Sequence, residues 1–426
     1  MILLYRVLTT LIYPFLVLFS YYRLYLGKED PVRFKEKIFV SNFKIKDNNL
    51  KLNWFHAASI GEFKSIIPII EYLNTKDNNL NFLITTSSVS SGHLATQELK
   101  RFNNAQHRFF PYDVPFLIDK FLKLWKPEKI FLVDSEIWPN LILKAHKYNI
   151  PVALINARIT KKSFKRWIIF PKVAKKIFSK INLCLCSNME TKEFLSKLCC
   201  KNIHFRGNLK LIGKIDEENV NNINESFLLK KRFWFAASTH KGEDILCIKT
   251  HLKLKSKFSD IVTVIAPRHI ERSHEIKELA KKFNLRVQVL NHDEYISKDN
   301  EIVIINHFGA LLNYFKYAKS VFIGKSMIKK LKDVGGQNPI EAAKLRCKIY
   351  HGPFVYNFEE IYKILQKFNI SKKIENFQEL SNYLIDDLKD SNKFTNQSPD
   401  AINNLGQKTL SDTMIIIDNF LNDKFS

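Results

Sequence analysis

The strongest constraint on this chain is a repeated alternation of short β-rich runs with helical segments. From residue 50 onward the runs Leu52–Phe55, Phe82–Thr86, Ile130–Asp134, Val152–Asn156, Leu183–Ser187 and Ile203–Gly207 recur. A second set follows at Phe233–Ala237, Ile261–Ala266, Arg286–Leu290, Glu301–Asn306, Val321–Gly324 and Lys348–His351. Helical periodicity fills most of the gaps, as in Glu62–Leu73, Val114–Leu124, Ile270–Phe283 and Pro339–Lys344. Such alternation predicts parallel sheets covered by helices on both faces. Between the sets, Lys214–Lys231 is rich in Asp, Glu and Asn and lacks a β run, which reads as a linker with a short helix. The expected organisation is a membrane helix over 1–26, one Rossmann-like domain over 27–213, the linker 214–231, and a second Rossmann-like domain over 232–426. From about residue 370 the tail is helical in pattern without new strands, and it is free to pack back on the first domain. Ligands of such folds bind outside the carboxyl ends of the strands, so a cleft between the domains is the expected site.

The first 26 residues are of another kind. Sixteen uncharged residues separate Arg6 from Arg23, and they are rich in Leu, Ile, Val, Phe and Tyr. About 20 apolar residues span a bilayer, so the run is marginal for crossing. A signal peptide fits poorly, because Tyr21, Tyr22, Arg23 and Tyr25 stand where small residues would be cleaved, and a soluble core helix is the second alternative. The tyrosines suit a membrane interface, and the basic residues after them place the rest of the chain on the cytoplasmic side of the inner membrane. The chain carries +25, from 67 Lys and Arg against 42 Asp and Glu, which suggests an anionic partner. Nucleic acid is disfavoured, because the cations are spread widely and no DNA or RNA module is present. A denser basic run, Lys161 to Lys176, reads either as a solvated helix face or as a patch against an anionic bilayer. Six cysteines are too few for a disulfide scaffold and lack zinc-ligand spacing, which fits reduced thiols in a cytoplasm.

Chemistry concentrates at strand-to-helix junctions. In H-A-A-S-I-G-E, His56 to Glu62, Ser59 and Glu62 have capping-box spacing. The alternative is that Glu62 acts as a general base on a hydroxyl nucleophile. D-S-E-I-W-P-N, Asp134 to Asn140, puts Glu136 just past a strand end, and G-N-L-K puts Lys210 at the hinge. In the second half, S-T-H-K-G-E-D (Ser238 to Asp244), A-P-R-H (Ala266 to His269) and F-G-A-L-L (Phe308 to Leu312) each follow a strand. G-G-Q-N-P-I-E, Gly335 to Glu341, enters a helix with Asn338 as N-cap and Pro339 in the first turn. Its two glycines are expected to let a phosphate approach the backbone.

In this order the motifs resemble the bacterial lipid A Kdo transferases, the 3-deoxy-D-manno-octulosonic acid transferases of glycosyltransferase family 30. P-Y-D-V-P (Pro111 to Pro115), N-A-R (Asn156 to Arg158) and H-G-P (His351 to Pro353) add to the match. The similarity covers about residues 1 to 365. It implies a GT-B fold and an inverting transfer of Kdo from CMP-Kdo to a phosphorylated glucosamine disaccharide lipid, lipid IVA, in lipopolysaccharide core synthesis. The first domain corresponds to the acceptor half and the second to the CMP half. By this resemblance Glu62 is the catalytic base, and Glu136 and Lys210 stabilise the transition state. Pro267, Arg268, His269, Phe308, Gly309, Ala310, Asn338, Pro339, Ile340 and Glu341 take the CMP-binding positions. No metal and no cofactor is expected, since no D-x-D cluster accompanies the motifs. Two departures stand out: Gly324-Lys325 replaces a glycine pair, ahead of a long basic stretch to Val334, and Ala310 stands where the family has Glu. Another GT-B enzyme using a different nucleotide sugar is the nearest alternative.

Overall fold

The computed structural model describes residues 1–39, 51–77, 79–389 and 400–423. It divides into two compact units, residues 1–213 with 405–426 and residues 214–404. Fourteen strands are present among the described residues. Unit 1 holds β1 (Lys51–His56), β2 (Leu80–Thr86), β3 (Ala105–Phe109), β4 (Lys129–Val133), β5 (Val152–Ala157), β6 (Leu183–Cys186) and β7 (Ile203–Phe205). Unit 2 holds β8 (Phe233–Thr239), β9 (Val262–Pro267), β10 (Val287–Leu290), β11 (Ile302–Ile305), β12 (Ser320–Ile323), β13 (Lys348–His351) and β14 (Ser371–Lys373).

Each unit carries one seven-stranded sheet. The orders are β3-β2-β1-β4-β5-β6-β7 and β10-β11-β9-β8-β12-β13-β14, with every pairing parallel. Buried parallel strands need apolar side chains on both faces, and β4, β6, β11 and β12 are buried throughout. In unit 1 the chain leaves β1 in one direction toward β2 and returns to the other side for β4. That reversal makes the β1/β4 boundary a switch point, and β8/β12 is its counterpart in unit 2.

Twelve of these strands were expected within a residue or two. β3 and β14 were not, and β14 corrects the expectation of a tail without strands. Both lie at a sheet edge, or next to it, in runs of polar sequence, A-Q-H-R-F and S-K-K. An edge strand bonds on one side only and can leave much of its surface wet, so it lacks an apolar signature. The stretch 214–231 packs on unit 2: Arg346 pairs with Glu217 at 2.8 Å, and Asn224 Oδ1 accepts the Ile296 N–H at 2.8 Å. The last helix, Asp400–Asn422, buries Met414, Ile417 and Phe420 in the core of unit 1 with Phe63, Ile66 and Phe131. Phe420 meets Phe131 edge-on, and Lys129 Nζ donates to the Asp423 carbonyl.

The expected single helix over 1–26 is two helices, Ile2–Leu11 and Tyr13–Tyr25, bent by 49°. Pro14 explains the break, because it cannot donate to the carbonyl one turn back and its ring crowds that turn. Among the described residues no single helix is long and apolar enough to cross a membrane. One face of the pair is tied to unit 1. Tyr5 donates to Asp113, Tyr13 donates to the Ile38 carbonyl, and Ser20 bonds the Tyr112 hydroxyl. The other face leaves Leu3, Leu8, Leu11, Phe15 and Leu18 exposed.

Candidate functional site

The junction after β1 and the junction after β4 flank the switch point of unit 1. Ser59 caps the helix Ile60–Lys76 through its hydroxyl, which accepts the Glu62 N–H. Glu62 returns the bond one residue further back than a standard capping box. Its Oε2 accepts the Ala58 N–H at 2.7 Å, and its Oε1 accepts the Ser59 hydroxyl at 3.0 Å. The cap is therefore real, and it holds the carboxylate in place. Burial is the first cause that pushes the Glu62 carboxyl up, and the charges of Asp134 and Glu136 add to it, to about 7. A carboxyl poised near neutrality can accept a proton from a hydroxyl.

Glu136 is held from two sides. Its Oε2 accepts the Trp138 indole N–H at 2.8 Å and lies 3.2 Å from His56 Nε2. His56 is buried, its ring stacks on Phe110 at 3.9 Å, and its Nδ1 is 3.0 Å from the Thr85 hydroxyl. Lys210 sits in a short 3-10 turn whose N-cap Asn208 accepts the Lys210 N–H. Its ammonium donates to Asp134 Oδ2 at 3.0 Å. Lys210 is thus bonded to Asp134, and the charges of Asp134 and Glu136 both act on the Glu62 carboxyl, which links the three expected residues in unit 1. Asp113 of the P-Y-D-V-P motif has a structural task instead. It is buried and accepts the Asn140 and Leu141 N–H groups, capping the helix Pro139–Lys147. Burial raises its carboxyl to about 6.

In unit 2 the expected CMP positions share the carboxyl edge of the sheet. Pro267 ends β9, and Arg268 and His269 follow it exposed. Phe308 is 71% exposed beyond β11, Gly309 has φ +86°, and Ala310 is buried at the start of the helix Leu311–Phe315. The helix over 340–344 starts one residue later than expected, with Pro339 at the N-cap. Asn338 Oδ1 still accepts the Ile340 N–H at 3.1 Å.

The glycine pair Gly335–Gly336 departs from expectation. Gly336 donates its N–H to the Lys325 carbonyl at 2.7 Å. A Cβ at Gly335 would lie 2.2 Å from the Phe354 carbonyl oxygen, and at Gly336 it would meet the Val355 backbone at 2.9 Å. The close approach these glycines permit is that of the chain's own H-G-P loop, not of an open phosphate cradle.

Glu243 was not singled out, although it closes the S-T-H-K-G-E motif. It is buried, and it accepts N–H groups from His240, Lys325, Ser326 and Met327 at 2.7–2.9 Å. Burial pushes its carboxyl up, against those four donors. The Gly324-Lys325 departure is accommodated here. A Cβ at Gly324 would lie 2.5 Å from the Ser238 carbonyl oxygen, and Lys325 adopts φ +58° with its N–H held by Glu243. The signal that could have found Glu243, His56 and Asp134 is position: each stands within a few residues of a strand end beside a switch point. Among the described residues no group of three His, Cys, Asp or Glu side chains is placed to hold a metal ion. All six cysteines are free thiols.

A family model described as 3-deoxy-D-manno-octulosonic-acid transferase (kdotransferase) matches residues 32–212. The chain is 31% identical over 390 residues to a probable mitochondrial 3-deoxy-D-manno-octulosonic acid transferase of Arabidopsis thaliana, spanning 87% of this chain and 85% of that one. It is 27% identical over 317 residues to the 3-deoxy-D-manno-octulosonic acid transferase of Haemophilus influenzae, spanning 73% of each. Among solved structures, a glycosyltransferase from Rickettsia africae aligns with TM-score 0.58 at 12% identity, over 88% of this chain and 100% of that one. That likeness concerns the fold, which is of the GT-B type.

Proposed function

This chain belongs to the 3-deoxy-D-manno-octulosonic acid transferase family and is a glycosyltransferase, and from that premise we propose that it moves Kdo from CMP-Kdo to a hydroxyl of lipid IVA with inversion. The product serves lipopolysaccharide core synthesis. The observation that carries this reading is Glu62, fixed by Ala58 and Ser59 at the switch point and poised near pH 7.

The acceptor hydroxyl attacks the anomeric carbon in line with the leaving phosphate, and Glu62 takes the hydroxyl proton. A new C–O bond forms as the C–O bond to CMP breaks, and CMP departs with the electron pair. Unit 1 takes the acceptor. Lys210 and Glu136 face the centre where charge develops. Unit 2 takes the donor, with Arg268 and His269 steadying the phosphate and Phe308–Ala310 and Asn338–Glu341 the rest of CMP. Proton and phosphate are both handled by side chains and backbone donors, so the step needs no metal.

The bent helix pair and the basic segment support a position on the cytoplasmic face of the inner membrane. Lys162, Lys165, Arg166 and Lys172 lie along helices Lys161–Ile169 and Pro171–Phe178, and Ile168, Ile169 and Phe170 between them are 48–65% exposed. Apolar side chains ringed by cations suit an anionic bilayer surface, where the lipid acceptor also resides. The pair then lies in the interface with its tied face toward the protein.

The test is direct. The purified full chain is incubated with CMP-Kdo and lipid IVA, and the products are weighed by mass spectrometry. Lipid carrying added Kdo is expected. No product with CMP-Kdo, together with thermal protection by UDP and not by CMP, overturns the reading in favour of another nucleotide sugar.

A further inference from the structure

Asp134 has no part in the reaction as written above, yet it stands between the groups that do. We propose that Asp134 is a positioning residue of this reaction, whose carboxylate fixes the Lys210 ammonium at the strand end from which its charge also acts on the Glu62 carboxyl. The proposal rests on the assignment of Glu62 as base and Lys210 as a charge-stabilising group.

Three observations carry it. First, Asp134 Oδ2 and Lys210 Nζ are 3.0 Å apart with side chains only 10% and 19% exposed. A lysine on a flexible stem gains a defined position from such a partner. Second, Asp134 takes φ +62° immediately after β4, with its N–H given to the Ile155 carbonyl and its carbonyl accepting the Arg158 N–H. A left-handed non-glycine residue at a strand end turns the chain sharply, and here the turn comes at the switch point. Third, Asp134 is the first of the two charges that hold the Glu62 proton, ahead of Glu136. The charges that act on the Glu62 carboxyl are Asp134 and Glu136 after β4; His56 at the end of β1 meets Glu136, and Lys210 in the 3-10 turn pairs with Asp134. Helix Val89–Glu98 brings His93, which pairs with Asp30, and the last helix brings Asp418, which pairs with Lys76. Neither of these pairs includes a group of the site.

Asp134 therefore acts on both partners at once. It neutralises Lys210 until developing charge on the reacting centre competes for the ammonium. It also disfavours the ionised form of Glu62, so that the base holds a proton more tightly once it has taken one.

Asp134→Asn tests this, because asparagine keeps the size and tolerates the left-handed conformation while removing the charge. Loss of that charge lowers the proton affinity of Glu62. The acid limb of the kcat/KM profile on CMP-Kdo and lipid IVA is expected to move down by about one pH unit, with kcat reduced about tenfold or more. Asp134→Gly, which also accepts φ +62°, is expected to behave alike and serves if the asparagine variant folds poorly. A residue that only supports the fold would lower stability and rate without moving the limb. An unmoved limb alongside a dead Glu62→Gln variant overturns the role of Asp134 and leaves Glu62 as base. Should Glu62→Gln turn over normally, the assignment of the base fails, and Asp134 is then judged on Lys210 alone. In that case equal fold-losses from Asp134→Asn in wild-type and Lys210→Ala backgrounds overturn it, and a smaller loss in the second background supports it.

Discussion

Glu62 reaches back past its own N-cap and takes the Ala58 N–H at 2.7 Å. The alternatives open at the level of sequence, helix cap or general base, are therefore two functions of one carboxylate. The cap fixes its position, and burial among Asp134 and Glu136 makes it basic.

Glu62→Gln separates the two functions. The amide oxygen can still accept the Ala58 N–H, and the amide N–H can donate to the Ser59 hydroxyl. Turnover is expected to fall at least about 100-fold, the scale of a lost general base, while CMP still protects against thermal unfolding. A variant with more than about a tenth of wild-type turnover would send the search for the base to Glu136.

The raised carboxyl also fixes a pH dependence. Glu62 is ionised only above about 7, so turnover should decline as pH falls through that value. For stability the sign is opposite to that of a paired carboxylate. The folded protein binds this proton more tightly than the unfolded chain, so the contribution of Glu62 to stability falls as pH rises from 4.5 to about 7. Melting curves of wild type and Glu62→Gln at pH 5 and pH 8 check this. The glutamine variant should gain relative to wild type at the higher pH.

Glu243→Gln should loosen the turn after β12. Four backbone N–H groups converge on the two carboxylate oxygens, and an amide NH2 would face one pair of them. A cost of about 1–3 kcal/mol is expected, read as a lower melting temperature, together with weaker protection by CMP.

Gly335→Ala should be more damaging than its small size suggests. The added methyl meets the Phe354 carbonyl at 2.2 Å, and backbone cannot swing aside as a flexible side chain can. A loss of about 1–3 kcal/mol is expected in denaturant unfolding. An unchanged midpoint would show that the 335–336 and 354–355 segments are not packed against each other.

Membrane attachment is expected to reside in the untied face of the bent helix pair. Replacing Leu8, Leu11, Phe15 and Leu18 with serine should shift the protein out of flotation with anionic vesicles while leaving its melting temperature nearly unchanged. These side chains are at least half exposed and contribute little to the core. Removing the whole segment is a less clean test, since Tyr5, Tyr13 and Ser20 also bond to the body of unit 1.

Two parallel α/β units, twelve of the strands, and the junctions at which chemistry would stand are legible in the amino-acid order alone. Each of these is local: an apolar run long enough for a buried strand, a cap residue, a carboxylate just past a strand end. Which junctions meet follows from the folded arrangement. The sheet order puts the turns after β1 and β4 side by side, though Glu136 stands 78 positions after Ala58 in a chain that visits β2 and β3 between them. It also decided that Asp134 holds Lys210, that Glu243 gathers the turn after β12, and that Gly335 and Gly336 make room for residues 354–355 rather than for a phosphate. The edge strands β3 and β14 fall in the same class. The physical reason is common to all of them. Hydrogen bonds, like-charge repulsion and steric contact depend on distances of a few ångströms between segments remote in sequence, and those distances are set by the order in which parallel strands are wound.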